Sequence, residues 1–162
     1  MEQDLLHLSI LVRIGKIRPQ NISANSNVYF YFDDKHSTKT CLSNARNCGF
    51  ADQASAVCAK AEEVLSQPNK FGLVHPFDIV SVTPPYEEII YSDLIDSICN
   101  STLVAEDTIV IIEYPVEMGT LPNVLGGDKL FGIRNRRYGR TVIALYVFRP
   151  NKKYPMKPDE FL

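Results

Sequence analysis

At 162 residues, with 45% hydrophobic and 22% charged content, the chain is sized for one domain with an apolar core, and a disordered or fibrous class is excluded. No apolar run approaches the ~18 residues of a membrane helix. The formal net charge of -2 hides a division: residues 1–128 hold 8 Lys/Arg and 17 Asp/Glu, whereas residues 129–157 hold 9 Lys/Arg and no acid.

Residues 1–17 suit either an amphipathic helix or a strand (LSILVRI). The start carries acids where a signal peptide would carry positive charge, so no targeting segment is expected within the chain and a soluble intracellular protein is. Gly15 is the only glycine before Gly49, so no glycine-rich phosphate-type turn can form there. Polar residues 22–27 lead to VYFYF (residues 28–32), a β-prone run ending in Asp33 and Asp34. Ser37 or Thr38 can cap the helix that follows, and Gly49 can stop it. Residues 55–67 read as a short strand, then a helix. FDIVSV (residues 77–82) reads as a buried strand, and Ile90, Leu94, Ile95 and Ile98 then share one helical face. TIVIIEYP (residues 108–115) is the next buried strand, with Glu113 at its end. Gly126 and Gly127 mark a turn, and two runs flanking Tyr138-Gly139 form an antiparallel hairpin. The proline-rich stretch 151–162 is expected to be a loose tail. Strand and helix alternate, which predicts an α/β fold. The domain limits expected are a divergent segment 1–27, a domain 28–150 and a flexible tail 151–162.

Cys41, Cys48, Cys58 and Cys99 are too unevenly spaced for a zinc half-site, and reduced, mostly buried thiols are expected. His7, His36 and His75 show no metal-type spacing. The chemistry is expected at residues 77–86. Thr83, Pro84, Pro85 and Tyr86 end the buried strand in a stiff loop, because consecutive prolines cannot donate ladder hydrogen bonds. In open α/β sheets, ligands bind at that carboxyl edge. Free carbonyls, a hydroxyl and an aromatic plate suit a flat, amine-bearing ring; a rigid loop with Tyr86 in the core is the plainer alternative. Lys129, Arg134, Arg136, Arg137 and Arg140, interleaved with Tyr138, form a candidate phosphate-contacting edge, with a solvated face as the alternative.

Strand, polar residue, Pro-Pro, aromatic resembles the Asn/Asp-Pro-Pro-Tyr/Phe signature of S-adenosylmethionine-dependent amino methyltransferases. With TIVIIEYPVEMGTLP (108–122) and RRYGRTVIALYVFR (136–149), the chain is similar to the RsmD-type methyltransferases of guanine in small-subunit ribosomal RNA, and Ser81-Val82-Thr83 looks most like the plant organellar branch. The resemblance implies a Rossmann-like class I methyltransferase sheet entered at its second strand, with the first strand and glycine loop lacking. It implies S-adenosylmethionine as cofactor, ribosomal RNA or a small-subunit precursor as partner, and a chloroplast or other organelle as a possible address, with a monomer favoured. It puts Asp33 or Asp34 near the cofactor ribose; matching the final acid places Phe32 on the family's ribose-binding Glu. A helix N-terminal acid is the structural alternative for this pair. Lys60 and Ala61 fall at the family's adenine contact. Thr83 stands where the family has Asn or Asp, so a neutral acceptor replaces a charged or amide one. A non-catalytic RNA-binding or assembly module is the competing reading.

Overall fold

The structure, a computed structural model, describes residues 8–13 (backbone), 27–84 and 90–161. The elements run β1 (Leu8–Arg13), β2 (Asn27–Phe32), α1 (Lys35–Asn47), β3 (Ala54–Cys58), α2 (Ala61–Ser66), β4 (Ile79–Thr83), α3 (Tyr91–Asn100), β5 (Ile109–Pro115), β6 (Val124–Leu125), β7 (Leu130–Tyr138) and β8 (Thr141–Phe148). Among the described residues, eight strands join one mixed sheet in the order β3-β2-β1-β4-β5-β8-β7-β6.

Two parallel pairs, β2 with β3 and β4 with β5, form the α/β part. β1 fills the slot between them and runs antiparallel to both neighbours. Leu8 lies opposite Phe32 on one side and Thr83 on the other, while Arg13 lies opposite Asn27. The chain therefore leaves β1 at the edge away from Phe32 and Thr83. Part of the segment 1–27 is thus a central strand rather than a region apart from the domain. LSILVR settles as a strand because neighbours on both sides offer it ladder hydrogen bonds, which an isolated helix could not match.

The core lies where β4 and β5 meet α3. Val80 and Val82 on β4 and Val110 and Ile112 on β5 are all almost wholly buried, and each such side chain contributes about 1.5–3 kcal/mol. β4 is shorter than the run that suggested it: Phe77 is buried but precedes the strand, its N–H donating to Leu103 O at 2.9 Å. On α3, Tyr91, Leu94, Ile95, Ile98 and Cys99 form the buried stripe. Ile90, expected on that stripe, is the exposed residue before the helix, because α3 begins one position later.

At the far end, β7 and β8 form the expected hairpin, turning at Gly139 and Arg140. The segment from Asn151 is not loose. Lys157 N donates to Ile133 O at 3.1 Å, and Pro158–Phe161 forms a 3-10 turn that buries Phe161. Phe161 packs on Tyr146, with ring centroids 5.3 Å apart, over Gly132, where an added Cβ would lie 2.5 Å from its ring. β6 is only two residues long, so it leaves most of the outer edge of β7 open, and the tail covers part of that edge. The cysteines also differ from expectation. All four are free, but Cys48 and Cys58 are exposed and only Cys99 is buried.

Candidate functional site

Strand direction decides which candidate residues meet. β2, β3, β4, β5 and β7 all point the same way, so their carboxyl ends share one edge of the sheet. Thr83 and Pro84 end β4 there, both half-buried. Asp33 and Asp34 follow β2, and Lys60 and Ala61 follow β3. Tyr138 pairs with Thr141, which pairs with Pro115 at the end of β5, so the hairpin tip is level with this edge. Pro85 and Tyr86 lie outside the described residues. One cavity lies between α2 and α3, away from this edge, and another lies against α1, lined by Phe30, Phe32, His36 and Ser37 beside Asp33 and Asp34.

The acids after β2 are not equivalent. Asp34 is the residue before α1, extended at φ -122° and ψ 147°, and its Oδ1 accepts from Ser37 N at 2.7 Å. These contacts with Ser37 hold its carboxyl below the usual range. It therefore acts as the helix cap, in place of the Ser37 or Thr38 expected for that role; Thr38 Oγ1 instead donates to Asp34 O at 2.8 Å. Asp33 is exposed. Phe32, at the position matched to a ribose-binding acid, is buried and stacks on Phe30 at 6.4 Å. At the end of β3, Ala59 N donates to Phe32 O at 2.8 Å, tying the two strand ends together. Lys60 is exposed and its backbone caps α2.

The basic residues divide in three. Lys129 precedes β7 at the opposite edge, where its ammonium donates to Asn100 Oδ1 at 3.2 Å and Cys99 O at 3.4 Å. That contact steadies the carbonyl end of α3, where a cation is favoured, and separates Lys129 from the other four. Arg134 and Arg136 converge on Glu160 Oε1 at 3.1 and 3.2 Å, and Asn135 N donates to Glu160 Oε2 at 3.0 Å. The Asn135 N–H first, then the two guanidiniums, hold the Glu160 carboxyl below its ordinary range. At the tip, Arg140 donates from Nε and Nη2 to Glu117 Oε1 at 2.8 and 2.5 Å, and Arg137 Nε donates to Gly139 O at 2.8 Å. Tyr138 between them is 63% exposed.

Sequence reasoning missed Glu160 and Glu117. The count of basic residues stopped at position 157, just short of Asp159 and Glu160, and nothing local marks Glu117 as the partner of Arg140. Among the described residues, no group of three or more His, Cys, Asp or Glu is placed to hold a metal.

The sequence profile of a family described as Conserved hypothetical protein 95 matches residues 21–147. Similar solved structures include a conserved hypothetical protein of Streptococcus pyogenes, 19% identical at TM-score 0.62, covering 73% of this chain and 69% of that one. A candidate methyltransferase of Escherichia coli is 23% identical at TM-score 0.60, covering 73% and 61%. A candidate methylase of Haemophilus influenzae is 18% identical at TM-score 0.62, covering 77% and 73%. At these identities the likeness is one of fold, and the chain spans less than two thirds of the Escherichia coli protein. No curated protein matches the sequence.

Proposed function

Because the chain belongs to the Conserved hypothetical protein 95 family, an RsmD-like methyltransferase family, we propose that it acts in S-adenosylmethionine-dependent methylation of a guanine exocyclic amine in small-subunit ribosomal RNA. The observation that carries this reading is that Thr83-Pro84 and the Arg137-Tyr138-Arg140 hairpin tip lie on one sheet edge, with β5 and β8 between them. A base and its flanking phosphates have to be gripped together, and this edge offers both kinds of group.

Thr83 and Pro84 hold the acceptor end in this reading. The amine's lone pair is delocalised into the ring, so acceptors on its N–H bonds orient it and stabilise the positive charge that develops on attack. The Thr83 hydroxyl and Pro84 carbonyl serve as those acceptors, and Tyr86 supplies the stacking face. Phosphates bind the guanidiniums at the tip, with Tyr138 open to an unstacked base.

The cofactor fits this chain only in part. By the family resemblance, exposed Asp33 and the Lys60-Ala61 backbone would hold the adenosine, and bound S-adenosylmethionine would supply the electrophilic methyl group. The methionine end finds no counterpart among the described residues. Asp34 is committed to capping α1, and β1 runs opposite to β2 and β4, so its carboxyl end lies at the other edge of the sheet. That reversal favours a second reading, in which the fold has lost its first strand and glycine loop and binds RNA without catalysis.

Calorimetry with S-adenosylmethionine and methyl transfer to small-subunit RNA separate the two. Methylation that rises about tenfold in Thr83→Asp, the rate equivalent of the ~1.4 kcal/mol gained by charging a hydrogen bond, is the outcome expected. Salt-sensitive RNA binding with no cofactor binding at millimolar concentration overturns the catalytic reading in favour of the second.

A further inference from the structure

Arg134, Arg136 and the Asn135 N–H all donate to one anion, and that anion is the protein's own Glu160. Its two oxygens divide the partners: Oε1 takes Arg134 and Arg136 at 3.1 and 3.2 Å, and Oε2 takes Asn135 N at 3.0 Å. Two guanidiniums and a backbone N–H around a small anion are also what a phosphate group requires. We infer that β7 carries a phosphate-binding site which Glu160 fills in the free protein, and that an RNA phosphate replaces the carboxylate when RNA lies across the hairpin. The inference rests on the RNA-binding reading for its ligand, though not for the site itself.

Two further observations support exchange at the level of the side chain. The segment is pinned independently of the carboxylate: Phe161 is buried against Tyr146, Lys157 N is bound to Ile133 O, and Asn135 Nδ2 donates to Glu160 O at 3.1 Å. Glu160 can therefore rotate away while the backbone stays docked. The site is also reachable, since the Arg136 side chain is 57% exposed and the Glu160 side chain 19%. The carboxylate matches the guanidiniums in geometry but leaves one positive charge over. It thus holds both arginines in place while lowering their pull on nonspecific anions.

The test uses the full chain, a fluorescent single-stranded RNA and a salt titration of binding anisotropy. Glu160→Gln should bind about 3–10-fold more tightly at low salt, because the phosphate no longer has to displace a carboxylate, while the log-log salt slope stays that of the native chain, since the same number of phosphates is contacted. Adding Arg136→Gln should cancel that gain. In the unmodified protein, the Asn135 amide resonance should move on RNA addition while Phe161 resonances stay. Unchanged affinity in Glu160→Gln, or an Asn135 amide indifferent to saturating RNA, overturns the inference even where the native chain binds RNA. If the native chain and Glu160→Gln bind no RNA, the RNA reading fails. Inorganic phosphate shifting Asn135 in Glu160→Gln then upholds the anion site, and its failure to do so rejects it.

Discussion

Asp34 and two buried phenols illustrate how one side chain's surroundings decide its role. The Asp34 carboxylate meets the first free N–H groups of α1, the position where Asp and Asn cap best. Asp34→Ala should lower the melting temperature by a few degrees, while Asp34→Asn, which keeps an acceptor, should lower it less. Because the folded carboxyl sits below its ordinary range, the charged form's contribution is complete above about pH 4–5 and is lost as pH falls through the lowered value. Melts of Asp34→Asn should accordingly lose part of the native acid sensitivity. Tyr31 and Tyr146 behave oppositely. Burial pushes Tyr31 up to about 12, and Tyr146, its hydroxyl donating to Pro122 O at 2.8 Å, is raised further. A raised phenol favours the neutral form, so this stability is present below about pH 10 and declines as pH rises through the folded value. Ultraviolet titration should find these two of the eight tyrosines ionising late, together with unfolding; free ionisation of both near pH 10 in folded protein contradicts the burial described.

Among the elements, β1 and the tail have the most consequence. As a central strand, β1 exchanges ladder hydrogen bonds with neighbours on both sides, and proline there removes a donor and opens the sheet. Leu11→Pro should abolish the cooperative thermal transition, whereas Val124→Pro in two-residue β6 should leave it largely intact. A sharp melt for Leu11→Pro would contradict the placement of β1. Its direction can be read separately, because nuclear Overhauser contacts should link Leu8 with Thr83 and Phe32. The tail depends on one anchor. Phe161→Ala should cost up to about 3 kcal/mol in denaturant unfolding, and Gly132→Ala should dislodge the same ring, since its Cβ would fall 2.5 Å from the Phe161 ring.

At the scale of the whole molecule, the parallel strands bring distant residues to one edge, and long-range pairing decided what local reading could not. The periodicity of α3, the aromatic run of β2, the β-branched runs of β4 and β5, and the glycine-marked hairpin were legible because burial imposes periods of 3.6 and 2 on neighbouring residues. Proline chemistry likewise marked where β4 had to stop. The direction of β1 was not legible, since its ladder bonds join backbone groups and carry little side-chain signature. Nor were the partners of Arg134, Arg136 and Arg140: contacts across 23 to 26 residues leave no local periodicity. Sequence alone determined which segments become strands and helices and where the stiff diproline corner falls, because those follow from backbone sterics and neighbouring side chains. Only the tertiary structure decided which way the central strand runs and which acid neutralises which arginine, because both depend on segments that meet only when the sheet closes.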